Sequence, residues 1–255
     1  MTVTVRRSVM LVAGLVVLGV TLSASAGLPR FGDYLGPYGV VLNQVGPSQR
    51  KIPNIITAVN FDYRGLDTMG EENILFAAVA GLALVLRRDR LRTTDEPLPA
   101  RAGRPMRERT DAVRAFGALA VFLTVAYGVY VALHPHLTPG GGFQGGTMTS
   151  GFAAAIFLTL GYPVFVRLIG QEPFEFFESL GAGAYALIGL ATLGAGGAFL
   201  INCLPLGGEG LLFSTGTVPL INFFVALEVC TGFVLVFIEF ARETRVEQEE
   251  REEAR

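Results

Sequence analysis

Long apolar runs, joined by short polar or glycine-rich segments, divide the chain. The first extends from Val9 to about Leu22 and follows Arg6 and Arg7. A second covers Met69 to Leu86. Asp67 and Thr68 are placed to cap it, with Glu71 and Glu72 in its first turn, and Arg87-Arg88-Asp89-Arg90 stops it. Further runs cover Val113–Leu133, Thr147–Ile169, Phe174–Asn202 and Thr217–Phe240, with Pro163 expected to kink the fourth. A bilayer needs about 20 apolar residues per helix. The pattern therefore predicts an all-α integral membrane protein with about six transmembrane helices in a 2 + 4 arrangement.

The joints set the expected organisation. Residues 27–69 read as a loop punctuated by Pro29, Pro37, Pro47 and Pro53. Within it, Ile52, Ile55, Ile56 and Val59 fall on one face of a short surface helix over Ile52–Phe61. Residues 91–111 are rich in arginine and proline and read as the linker between modules. That gives a two-helix module over 1–90, a four-helix module over 112–242, and a charged, solvated helical tail over 243–255. Ala24-Ser25-Ala26 also looks like a signal-peptidase site. The length from Arg7 to Ala26 favours a retained helix over a cleaved leader.

Composition agrees with the membrane class. The chain of 255 residues is 51% hydrophobic and 16% charged, against about 25% charge in a soluble domain. Mean hydropathy is +0.49. Charge adds an orientation. With the N-terminus cytoplasmic, 16 of the 20 basic residues fall inside. Only Arg30, Arg50, Lys51 and Arg64 fall outside. This bias predicts both termini cytoplasmic, the segment 27–69 extracytoplasmic, and a multi-pass protein of the plasma membrane in contact with the lipid bilayer. No basic face interleaves with aromatics, which argues against nucleic acid. Cys203 and Cys230 lie in different runs and read as buried, unpaired residues.

Candidate chemistry is sparse. His136-Leu137-Thr138-Pro139-Gly140-Gly141-Gly142-Phe143-Gln144-Gly145-Gly146 joins the third and fourth runs. No lysine follows, so its glycines do not form a phosphate-binding loop. The pairs Gly141/Gly145 and Gly142/Gly146 suit close helix packing. His134 and His136 lack acidic or thiol partners nearby, so no metal site is expected. Glu228 stands near the middle of the sixth run. A carboxylate at the bilayer centre costs about 2.5–3.5 kcal/mol unless it faces protein or water. It reads either as a proton- or sodium-path group or as an interhelical hydrogen bond. Asn222 precedes it by roughly 240° of helical rotation and is expected on another face unless the helix breaks near Pro219. Asp62, Arg64, Asp67 and Glu71 form a charged group at the membrane boundary, suited to capping and ion pairing or to ion entry. Glu175 and Glu178 read as solvated surface residues at the start of the fifth run. No nucleophile–base pair, redox pair or cofactor motif is visible, so neither an enzyme active site nor a cofactor is expected.

Three stretches carry a family resemblance. His136 three residues ahead of Pro139-Gly140-Gly141-Gly142-Phe143 resembles the signature of the B subunit of Mrp/Mnh multisubunit Na⁺/H⁺ antiporters. Ser214-Thr215-Gly216-Thr217-Val218-Pro219 leading to Asn222 and Leu227-Glu228-Val229 is similar to the same family, so the likeness spans about 110–242. Asp62-Tyr63-Arg64-Gly65-Leu66-Asp67-Thr68-Met69-Gly70-Glu71 resembles the domain that ends the A subunit, itself similar to an E-type subunit of membrane-bound hydrogenases; that likeness covers about 1–88. The resemblance implies a membrane subunit of a cation/proton antiporter that works only beside other subunits, with Na⁺ and H⁺ as transported ions. Under it, Glu228, Asp62, Asp67, Glu71 and His136 are the ion- or proton-path candidates. Pro139, Gly140, Gly141, Gly142, Phe143, Gly145 and Gly146 are the structural motif. An ion-pumping subunit of a hydrogenase-type or complex I-like respiratory complex, and a purely structural scaffold, are the alternatives.

Overall fold

The computed structural model describes residues 3–28, 36–93 and 110–253. Its helices are α1 (Val3–Ala26), α2 (Pro37–Arg50), α3 (Ile55–Ala58), α4 (Gly65–Thr93), α5 (Asp111–Leu133), α6 (Gly142–Leu160), α7 (Tyr162–Leu168), α8 (Gln171–Gly196) and α9 (Val218–Glu253), with a π-helical turn at Val59–Tyr63 between α3 and α4. Among the described residues there is no strand, and the protein is all-α. Residues Met1–Leu42 form one compact unit, holding α1 and the start of α2. Asn43–Arg255 form another, holding α3 to α9.

Among the described residues, five helices are long and apolar enough to cross a membrane: Arg7–Ala26, Gly65–Leu86, Asp111–Leu133, Gln171–Gly196 and Val218–Arg242. The expected sixth is α6, which has 19 residues, but glycine, glutamine, serine and threonine fill its first half and dilute its hydropathy. The chain directions nevertheless treat it as a full member of the bundle. Gly117 meets Thr159 while Gly128 meets Thr149 and Gly145, so α5 and α6 are antiparallel. Gly142 meets Asn222 and Gly146 meets Ala226, so α6 and α9 are parallel. Gly181 meets Phe224 and Glu228, while Glu178 meets Gly232, so α8 and α9 are antiparallel. Tyr185 on α8 donates to the Gly65 carbonyl at 2.7 Å, placing the start of α4 beside the later part of α8. Thus α4, α6 and α9 run one way, and α5 and α8 the other. Arg114, Arg167 and Arg242 gather at one end of this unit, and Arg50, Lys51 and Arg64 at the other.

Glycine makes the tight contacts. A Cβ on Gly142 would stand 2.5 Å from the Asn222 carbonyl oxygen, and one on Gly146 2.7 Å from that of Ala226. A Cβ on Gly145 would stand 2.6 Å from Ala132 on the opposite flank. The motif therefore faces two ways, with Gly142 and Gly146 toward α9 and Gly145 toward α5. Gly141 lies outside the helix as its extended cap residue. Gly140 has φ +151° and stands against Val131, where a side chain would be strained as well as crowded.

Several boundaries differ from those read off the sequence. The stretch expected to be loop holds α2, because Pro37 sits at the first helical position, where its missing N–H costs nothing, and Pro47 is accommodated inside. The expected surface helix over 52–61 is instead α3 and the π-turn folded into the interior. Ile52 and Phe61 are buried there, and Ile56 is exposed. The fourth run starts five residues earlier than expected and breaks at Gly161, φ +86°, just before Pro163. Helix α4 starts at Gly65 and continues to Thr93, past the expected stop, and α9 continues helically through the expected tail to Glu253. Most of the expected linker, 94–109, lies outside the described residues. Cys203 is exposed and Cys230 half-buried, and both are free.

Substituting Gly146→Leu should force α6 from α9. Overpacking of this kind costs typically 1–3 kcal/mol. A lower melting temperature of the detergent-solubilised protein is the expected result. Gly183→Leu, where a Cβ would have nothing within 4 Å, should leave it unchanged.

Candidate functional site

Three of the buried acids of the second unit lie on facing helices. Glu228 on α9 is 1% exposed, Glu72 on α4 is 2% exposed, and Glu178 on α8 is 6% exposed. Both carboxyl oxygens of Glu228, Oε2 of Glu72 and Oε1 of Glu178 are buried without a hydrogen-bond partner. Their helices position them. Gly181 lets α8 approach so closely that a methyl group in place of its hydrogen would stand 2.6 Å from the Cβ of Glu228. Gly232, one turn further along α9, faces Oε1 of Glu178 and Cγ2 of Val79, each 3.4 Å from where its Cβ would be. Glu178 and Glu228 thus lie about 6 Å apart along the axis. Glu72 precedes Val79 by seven residues on a helix parallel to α9. It therefore falls about one turn beyond Glu228 on the other side. Unpaired carboxyls in an apolar interior are costly.

Sequence reading identified Glu228 and missed its partners. It singled out Glu71, which is exposed, whereas its neighbour Glu72 points inward. It read Glu178 as solvated, whereas Glu178 is buried against α9 and only Glu175 is exposed. Helical periodicity carried the missing signal. Glu178, Gly181 and Tyr185 share one face of α8, and so do Glu72 and Val79 on α4.

The remaining candidates stand apart from these three acids. Asp62 lies in the π-turn with its side chain 1% exposed. It accepts from Asn202 Nδ2 at 2.8 Å and pairs with Arg50 Nε at 3.4 Å. Asn202 in turn accepts from the Thr217 backbone N–H at 2.9 Å, capping α9, and donates to the Thr215 carbonyl. Thr215 and Gly216 have φ +71° and +67°, and a Cβ on Gly216 would collide with Asn202. Asp67 forms an exposed pair with Arg64 at 2.5 Å. Asn222 points away from Glu228, as its helical rotation predicts. It is fully buried, and its Oδ1 accepts from the Gly142 backbone N–H at 2.9 Å, so a side chain of α9 caps α6.

His136 is fully buried in the α5–α6 turn. Its Nε2–H donates to the Leu211 carbonyl at 3.2 Å, which fixes the tautomer and leaves Nδ1 without a partner. Asn54 braces the same turn by donating through Nδ2 to the carbonyls of Pro135 at 2.7 Å and Thr138 at 3.0 Å. Thr57 also donates to the Pro135 carbonyl, at 2.6 Å. Burial pushes the imidazole below its ordinary value of 6.5, against the pull of the Leu211 and Leu212 carbonyls, and nearby His134 lowers it further.

Residues 112–235 match the family described as a domain related to the MnhB subunit of Na⁺/H⁺ antiporter. An uncharacterised protein of Methanocaldococcus jannaschii is 30% identical over 209 residues, covering 75% of this chain and 78% of that protein. The chain carries an MnhB-related domain. One similar solved chain comes from the membrane-bound sulfane sulfur reductase, an archaeal respiratory membrane complex. The TM-score is 0.67 at 26% identity, over 92% of this chain and 98% of that one. Another comes from the Mrp complex of a Dietzia species. Its TM-score is 0.70 at 24% identity, over 94% of this chain and 26% of a longer one, and this likeness shows the fold. The MnhB-related region contains His136, the glycine motif, Glu178 and Glu228, while Glu72 comes from α4, ahead of it.

The folded state binds fewer protons at His136 than the unfolded chain. Its contribution to stability is therefore present above about pH 6.5 and lost as pH falls through the lowered folded value. Melting temperature should drop between about pH 7.5 and about pH 5.5, and His136→Gln should flatten that slope. An unchanged slope in His136→Gln would assign the acid sensitivity elsewhere.

Proposed function

We propose that this chain is a membrane subunit of a multisubunit Na⁺/H⁺ antiporter and that Glu228 belongs to its ion or proton path. The observation that carries the site is Glu228 itself, buried in a membrane-spanning helix with both carboxyl oxygens unpartnered. The MnhB-related domain around it supplies the antiporter class. A group placed only to tie helices together would have its hydrogen bonds made. Glu228 has none, and a carboxyl that takes up and releases a proton accounts for it. Other antiporter subunits are the partners, and residues 1–90 and 112–242 are its two modules. Glu71 and the Asp67–Arg64 pair lie where α4 begins, at the end away from Arg242, as residues through which ions leave or enter there. Asp62 and His136 hold the loops around that end.

A second reading has specific support. The chain covers 98% of a subunit of a respiratory membrane complex at 26% identity. In that setting the same bundle would couple redox energy to ion movement. Affinity purification of the tagged chain separates the two. Antiporter subunits alone support the first reading, and an iron–sulfur subunit in the isolated complex supports the second.

Glu228→Gln keeps the shape and removes the proton-carrying function. Assembly should persist, and Na⁺/H⁺ exchange in membrane vesicles should fall about tenfold or more. Wild-type exchange by fully assembled Glu228→Gln complexes would remove Glu228 from the path.

A further inference from the structure

At the arginine-rich end of the bundle a cleft of about 650 Å³ opens between α4, the start of α8 and the end of the membrane part of α9. Ala83, Gln171, Glu172, Glu175, Glu239 and Arg242 line it. Gln171 is its hub. Its Nε2 donates to Glu175 at 2.6 Å and to Glu239 at 3.5 Å, and its Oε1 accepts from Arg242, which also pairs with Glu239 at 3.6 Å. Glu175 is exposed in this open mouth, and Glu178 lies three residues on, on the same side of α8. Beyond Glu178 come Glu228 and then Glu72, each about one turn further. Glu72 adjoins exposed Glu71 at the opposite side of the line.

We propose that Glu178, Glu228 and Glu72 form a stepwise proton relay through the bundle, entered through the cleft beside Glu175. This rests on the reading of Glu228 above. The unpartnered oxygens on all three buried residues are what a relay requires, because each must be free to accept a proton on one side and release it on the other. Among the described residues, no three of His, Cys, Asp or Glu converge as an ion-holding set, so spaced proton transfer fits better than one chelated cation. In each step a carboxylic acid gives its proton to the next carboxylate, directly or through one water. The O–H bond of Glu178 breaks as that of Glu228 forms. The Glu178 carboxylate left behind is reprotonated from the cleft, and Glu228 passes its proton to Glu72 in the same way. Gly181 sets the spacing by letting α8 close on α9 at the level of Glu228.

The test uses the assembled complex in vesicles. Glu178→Gln and Glu72→Gln should each lower Na⁺/H⁺ exchange about tenfold or more, and Glu178→Asp should retain most of it. Because the steps are in series, Glu178→Gln with Glu228→Gln should be no slower than the worse single variant. Normal exchange in Glu178→Gln or Glu72→Gln, with Glu228→Gln impaired, overturns the relay and leaves the Glu228 reading standing. Normal exchange in all three overturns both. If the variants do not assemble, wild-type complex decides. A hydrophobic carbodiimide adds across a carboxylic acid, taking its proton to form an O-acylisourea that rearranges to a stable N-acylurea. Peptide mapping should find the adduct on Glu178 as well as Glu228. An adduct on Glu228 with none on Glu178 overturns the relay.

Discussion

The approach of two helices to α9, made through glycine, is the constraint on which the bundle depends. Gly142 and Gly146 bring α6 to backbone contact on one side, and Gly181 brings α8 to it on another. In a bilayer no hydrophobic force draws apolar helices together, so contact area and short polar contacts must do it. The glycines supply both. They widen the van der Waals contact, and they let Asn222 reach the unpaired N–H at the start of α6. Moving α8 outward by one methyl would open the space around Glu228, and moving α6 outward would leave the Gly142 N–H without Asn222.

This close packing explains how three acids are kept in an apolar core. Two are held at a level where a neighbour has no side chain: Glu228 opposite Gly181, and Glu178 opposite Gly232. The room needed for a carboxyl group there comes from the missing Cβ across the interface. Val79 on α4 stands beside Glu178 across from Gly232 and belongs to the apolar core there. At the opposite end the logic reverses. The Asn202 amide ties the Asp62 carboxylate, the Thr215 carbonyl and the Thr217 N–H together there, which makes that end a fastening.

Much of this was legible in the sequence. Long apolar runs mark membrane helices because little else tolerates them, and arginine distribution matches the ends at which the bundle collects its cationic residues. Glu228 was legible because a lone acid in an apolar run is conspicuous. Glu178 and Glu72 were not, since each lies near the polar start of its run, where an acid is ordinarily solvated. Only the rotation of the helix against its neighbours distinguishes Glu72 from Glu71, or Glu178 from Glu175. Helix α2 was hidden for a different reason. It has no long apolar face, and its prolines signal a turn unless one happens to sit at the first helical position. The fourth run hid its true start because glycine suggests a bend, while here it forms the first turn of α6.

Helix α9 has 36 residues, which at 1.5 Å each is about 54 Å of continuous rod. The hydrocarbon core is about 30 Å thick. The stretch of α9 beyond Arg242 therefore extends past the hydrocarbon layer.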